Sequence, residues 1–97
     1  MLSEFSGVDY LIVGAGFYGA VLAERLANDA QARVLVIDRK NHIGGNSFSR
    51  IDPATGIEVH CYGSHIFHTA DEEVWRYLNR FGAFSNYRHK VLIERCG

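Results

Sequence analysis

An α/β fold built around one parallel strand–helix–strand unit is what this sequence of 97 residues predicts. Three observations carry that expectation. Two short apolar runs, residues 9–13 and 34–37, are continuous rather than alternating, as strands buried on both faces are. A glycine-rich turn, Gly14-Ala15-Gly16-Phe17-Tyr18-Gly19, follows the first run directly. Residues 20–27 then place Leu22, Ala23, Leu26 and Ala27 on one helical face, with Glu24 and Arg25 pointing elsewhere.

The first strand stops at Gly14 and the helix closes at Asn28-Asp29. The second strand ends at Asp38, so residues 9–38 make one βαβ unit, for which a right-handed crossover is expected. Beyond Asp38 the pattern becomes irregular. Residues 47–63 read as short extended pieces around a turn at Asp52-Pro53-Ala54-Thr55-Gly56. Thr69-Ala70-Asp71-Glu72 has capping-box spacing, with Thr69 as N-cap and Glu72 reaching back. Val74, Trp75, Leu78 and Phe81 give the following helix an apolar face, and Gly82 is its expected stop. Residues 90–94 read as a last strand.

Composition excludes several classes. Ten Lys and Arg against eleven Asp and Glu leave a formal charge of −1, with no basic excess to grip a phosphate backbone, so no nucleic-acid partner is expected. Aromatic residues at 12% and a single proline argue for a packed core rather than disorder. The opening residues lack the cationic start of a signal peptide, and no apolar run is long enough for membrane insertion. Cys61 and Cys96 have no CxxC spacing, which suits a reduced, cytoplasmic protein. The length allows one domain at most.

The chemistry starts at Gly14-x-Gly16-x-x-Gly19. Such spacing is informative here because it follows a strand and opens a helix. Gly14 permits the tight turn, Gly16 lets a pyrophosphate approach the backbone, and Gly19 lets helix and strand pack closely. The helix start adds free N–H groups and the positive end of its dipole. Asp38, nineteen residues past Gly19, is placed to accept the ribose hydroxyls of an adenosine and to disfavour a 2′-phosphate; Arg39 beside it weakens that exclusion. Gly44-Gly45 comes six residues after Asp38. A glycine pair there lets the backbone return to the pyrophosphate from a second side. The expected fold is therefore a partial Rossmann-like FAD/NAD(P)-binding domain. Its glycine pair resembles that of flavoproteins related to glutathione reductase and the amine oxidases, although Asn46 stands where the amine-oxidase type carries Arg.

Three stretches sharpen the resemblance. Residues 10–20, residues 34–46 and Tyr62-Gly63-Ser64-His65-Ile66-Phe67-His68-Thr69 together resemble the bacterial UDP-galactopyranose mutase family, with Val74-Trp75 and residues 87–91 in register. Ser64 stands where that family is expected to carry Pro or Ala. The resemblance implies interconversion of UDP-galactopyranose and UDP-galactofuranose, with reduced FAD as covalent catalyst and no net redox change. It also implies that Gly14, Gly16, Tyr18 and Gly19 line the FAD pyrophosphate and that Asp38 and Arg39 sit at the adenosine ribose. Gly45 and Asn46 would contact the cofactor again. His65 and Ile66 would lie by the flavin ring, with His65 tuning its hydrogen bonding, and His89 would meet the UDP-galactose substrate.

The family's chain is several times longer, so residues 1–97 are expected to be the N-terminal part of an FAD-binding domain, without the substrate domain and inactive alone. An uncovered sheet edge and apolar face then predict self-association. His60, His65 and His68 lack the spacing of a tetrahedral zinc site, and no metal is expected. Two other readings remain open at this level: another flavoprotein of the amine-oxidase or desaturase type, and a non-catalytic nucleotide-binding or assembly module.

Overall fold

Two strands, β1 (Tyr10–Val13) and β2 (Val34–Ile37), pair in parallel with Tyr10 opposite Val34 and Val13 opposite Ile37. Between them runs α1 (Phe17–Asp29), which packs against both. This is the βαβ unit expected from the two apolar runs. The coordinates are a computed structural model that describes residues 2–97. They divide into two compact units, one ending at His65 and the other formed by Ile66–Gly97.

Helix α1 begins three residues earlier than its apolar face suggests. Gly16 is extended and serves as N-cap, so Gly19 lies inside the first turn. Leu26 and Ala23 on the inner face are half-buried, and Ile12 in β1 is the buried apolar side chain among the described residues. The end of the crossover is clamped twice. The Asp9 N–H donates to the Arg33 carbonyl at 2.8 Å, and the Arg33 N–H donates to the Asp9 carboxylate at 2.8 Å.

After β2 the chain makes a short 3-10 turn (Gly45–Ser47) and then an antiparallel hairpin, β3 (Ser49–Ile51) with β4 (Glu58–His60). The loop at its tip is held by Asp52, whose carboxylate accepts from the Thr55 hydroxyl at 2.7 Å and the Thr55 N–H at 3.1 Å. The extended pieces and the turn expected in this stretch are therefore one hairpin.

The second unit holds α2 (Glu72–Leu78). Its N-cap is Asp71, not Thr69: the Asp71 carboxylate accepts from the N–H groups of Glu73 at 2.8 Å and Val74 at 3.1 Å. A carboxylate at that position meets two orphan donors of the first turn at once. Thr69 instead accepts from the Asp71 N–H at 3.0 Å, and Glu72 pairs with Arg76 at 3.3 Å. The helix stops at Leu78, short of Gly82, where the Asn79 N–H and side-chain amide both donate to the Trp75 carbonyl, at 3.1 and 2.8 Å. The chain then tightens into three-residue turns, with the Arg80 N–H donating to the Tyr77 carbonyl and the Phe81 N–H to the Leu78 carbonyl. Phe67, Trp75 and Phe84 form a ring cluster, with Trp75 and Phe84 centroids 5.1 Å apart. Residues 90–94 form no strand. A strand exists only through a partner's hydrogen bonds, and the second unit supplies none among the described residues.

Candidate functional site

The glycine turn is built by main-chain geometry. Gly14 adopts a left-handed φ of 111° and donates its N–H to the Ile37 carbonyl at 2.7 Å, tying the end of β1 to the end of β2. At Gly19 a Cβ would run into the Gly14 carbonyl and press on Ile12, so a side chain there would displace either the turn or the helix. At the mouth of α1, Gly16 offers no side-chain cap. The first N–H groups of the helix are thus left to an anion, in the field of the helix dipole.

Asp38 locks the turn from the other side. One carboxylate oxygen accepts from the Ala15 N–H at 2.8 Å and the other from the Lys40 N–H at 2.8 Å. These two bonds, the one from Ala15 first, hold the Asp38 carboxyl below the usual carboxylate range. Partial burial opposes the shift, while the charges of Lys40 and His42 add to it. Each oxygen keeps a second lone-pair direction, which is what two ribose hydroxyls require. Arg39 beside it is exposed.

The glycine pair comes back to the turn as its spacing suggests. The Gly44 N–H donates to the Ala15 carbonyl at 2.8 Å. A Cβ on Gly45 would stand 3.0 Å from the Gly16 Cα. Gly44 and Gly45 both have left-handed φ, 95° and 57°. Two bare backbones therefore face each other, one from the α1 entrance and one from the loop after β2. Asn46 follows in the 3-10 turn, its Oδ1 accepting from the Lys40 ammonium at 3.1 Å. Tyr18 is 84% exposed on the first turn of α1. A groove of about 350 Å³ runs along β1 and the α1 entrance, lined by Leu11, Val13, Gly14, Gly16, Tyr18 and Leu22 among others.

One group of residues has no signal in the spacing. His42 stacks on Phe48 with centroids 3.8 Å apart, and its Nε2 lies 2.7 Å from the Tyr62 hydroxyl. The Lys40 ammonium sits over the Tyr62 ring at 3.9 Å. These contacts pin the Gly44-Gly45 loop to the hairpin and to the segment after β4. The four residues are up to twenty-two positions apart in the chain, so only the hairpin brings them together. The Gly44 N–H contact, by contrast, was signalled by the glycine doublet itself.

The remaining candidates divide between the units. His65 ends the first unit; its N–H donates to His60 Nδ1 at 3.1 Å and the two rings stack at 4.0 Å. Ile66 and His89 belong to the second unit, where the Tyr87 hydroxyl lies 3.2 Å from His89 Nδ1. The structure thus brings Gly14, Gly16, Tyr18, Gly19, Asp38, Gly45 and Asn46 into one locale, with Arg39 at its margin.

Known proteins are similar to this chain in sequence. A family model described as NAD(P)-binding Rossmann-like domain matches residues 12–81. The chain is 49% identical over 87 residues to the dTDP-fucopyranose mutase of Escherichia coli, covering 90% of this chain and 23% of that protein. It is 49% identical over 81 residues to the probable UDP-galactopyranose mutase of Klebsiella pneumoniae, covering 84% and 21%. With the UDP-galactopyranose mutase of Mycoplasma genitalium, identity is 46% over 91 residues, covering 94% and 22%. The chain therefore spans less than a quarter of these relatives, and the matched part is their N-terminal portion. With the glycine turn, the strand-end acid and the parallel pair all in place, the chain belongs to the NAD(P)-binding Rossmann-like domain family.

Proposed function

We propose that residues 1–97 are the N-terminal part of the FAD-binding domain of a nucleotide-sugar mutase, an isomerase that interconverts UDP-galactopyranose and UDP-galactofuranose. The observation that carries this reading is the double cradle: Gly16 and Gly45 so close that a Cβ on one meets the Cα of the other at 3.0 Å. A single glycine turn suffices for the diphosphate in a plain NAD domain, and a second glycine return would bring bare amides to it from another side. The residues present fit FAD. Gly14, Gly16, Tyr18 and Gly19 would hold its diphosphate, and Asp38 with Arg39 its adenosine ribose. Gly45 and Asn46 would close from the other side. His65 and Ile66 are proposed to stand by the flavin ring and His89 by the substrate. When bound in reduced form, FAD supplies the nucleophile for the ring change. The chain's own part is to bind and orient it.

Substrate identity has a second candidate, because one relative of 49% identity is named for dTDP-fucopyranose. Thymidine and uridine sugars share the diphosphate, so the cradle serves both. Replacing the matching segment of the Klebsiella pneumoniae relative by this sequence separates the two. The chimera is expected to convert UDP-galactose only after the flavin is reduced. Conversion with oxidised flavin, or of the dTDP sugar alone, contradicts the proposal.

Two further features fit the reading. Cys61 and Cys96 are both free and exposed, as suits the reducing cytoplasm. Among the described residues no helix is long and apolar enough to cross a membrane. Leu11 and Val13 of β1 stand 58% and 77% exposed, and among the described residues β1 pairs only with β2. The isolated chain is accordingly proposed to self-associate. Light scattering is expected to give a mass above 10.9 kDa; a stable monomer with a sharp unfolding transition contradicts this.

A further inference from the structure

His60 and His65 are joined in a way that the dinucleotide cradle does not use. The His65 N–H donates to His60 Nδ1 at 3.1 Å, closing the five-residue step from β4 through Gly63, whose φ is 93°. The two imidazoles stack with centroids 4.0 Å apart and planes 22° from parallel. His65 Nδ1 is buried with no hydrogen-bond partner among the described residues, which leaves Nε2 as its nitrogen for a ligand.

We propose that His60 is a positioning residue for His65: its Nδ1 lone pair and stacked ring fix the 61–65 turn and, through it, where the His65 imidazole stands. A backbone N–H only donates, so His60 Nδ1 must carry a lone pair and the ring proton must sit on Nε2. A proton added at Nδ1 would set two N–H groups against each other and end the bond. The latch is therefore closed with neutral His60 and open with the imidazolium.

The groups around His60 are few. Glu58 shares its strand face by the two-residue repeat, and Ser49 stands opposite on β3. Arg50 pairs with Val59 and so lies on the other face. Cys61, Tyr62 and His65 come from the turn itself. No ion pair to either histidine is present among the described residues. The consequence for cofactor binding rests on the reading of His65 as facing the flavin; the latch itself does not.

NMR of the whole chain tests it. At alkaline pH a scalar coupling across the hydrogen bond is expected between the His65 amide nitrogen and His60 Nδ1. It is expected to vanish in step with the His60 ring nitrogen shifts as acid converts that ring to imidazolium. A folded chain with no such coupling at alkaline pH, or a coupling that survives the imidazolium, overturns the proposal. His60→Phe keeps a ring but no acceptor, and should speed exchange of the His65 amide about five- to tenfold, the worth of one ordinary hydrogen bond. His60→Asn restores an acceptor and should return exchange towards the parent value. Equal exchange in His60→Phe and the parent also overturns it. FAD is then added: movement of the His65 ring signals supports the flavin reading. Unmoved His65 signals with the coupling intact overturn that reading and leave the latch standing.

Discussion

Main-chain hydrogen bonds organise the part of the chain up to His65, whereas rings and one short helix organise Ile66–Gly97. In the first part Ala15 alone is met twice, by the Asp38 carboxylate and by the Gly44 N–H, from twenty-three and twenty-nine positions away. In the second part the long-range contacts are those of Phe67, Trp75 and Phe84. The difference is one of tolerance. Ring clusters accept other apolar residues of similar volume at small cost. A cradle of backbone amides does not, since its shape depends on absent side chains and on left-handed φ values.

The sharpest way to break the contrast is Gly19→Val. Its Cβ has no room beside the Gly14 carbonyl, and backbone cannot yield as a side-chain tip would. A loss of about 3 kcal/mol in denaturant unfolding, the upper end of ordinary overpacking, is expected together with loss of FAD binding. A stable variant that still binds would put the rigidity of the turn in doubt. Gly45→Val should cost about 1–3 kcal/mol, the range for a side chain forced into left-handed backbone, and should weaken FAD more than it weakens the fold. Calorimetric titration against unfolding midpoints separates the two effects.

Asp38→Asn acts through pH. The folded carboxyl titrates lower than the unfolded one. Its contribution to stability is therefore complete above the unfolded value and fades as pH falls below about 4 through the folded value. Unfolding midpoints measured stepwise into acid should fall more steeply for the parent than for Asp38→Asn, which starts lower. Identical slopes would mean that the two backbone bonds do not favour the charged form. The smallest effect belongs to the second unit. Asp71→Ala removes a helix cap and should cost about 1 kcal/mol, seen as reduced far-ultraviolet helicity, with the cradle's FAD affinity unchanged.

Much of this organisation was legible from the residues. The apolar runs before Gly14 and Asp38 marked both strands, since buried parallel strands carry continuous hydrophobic stretches. The doublet Gly44-Gly45 marked the return to the turn. Other features were hidden for physical reasons. Gly19 is a poor helix former, so the start of α1 at Phe17 is visible only once Gly16 is seen as an extended N-cap. Thr69 and Asp71 are both good caps; capping-box spacing points to Thr69, but the Asp71 carboxylate meets two N–H groups of the first turn. Residues 90–94 have strand composition, but pairing is a property of neighbours, not of the segment. The His42, Phe48 and Tyr62 contacts and the His60–His65 stack depend on where a hairpin folds back. No periodicity along the chain encodes that.

The decisive measurement is a nitrogen–proton correlation spectrum of the chain titrated with FAD, since it registers even weak binding residue by residue. Saturable shifts should centre on the amides of residues 14–19 and on Gly45 and Asn46, and Gly45→Val should suppress them. Shifts confined to Ile66–Gly97, or none at millimolar FAD in a folded chain, would mean that the two glycine backbones do not form a diphosphate cradle.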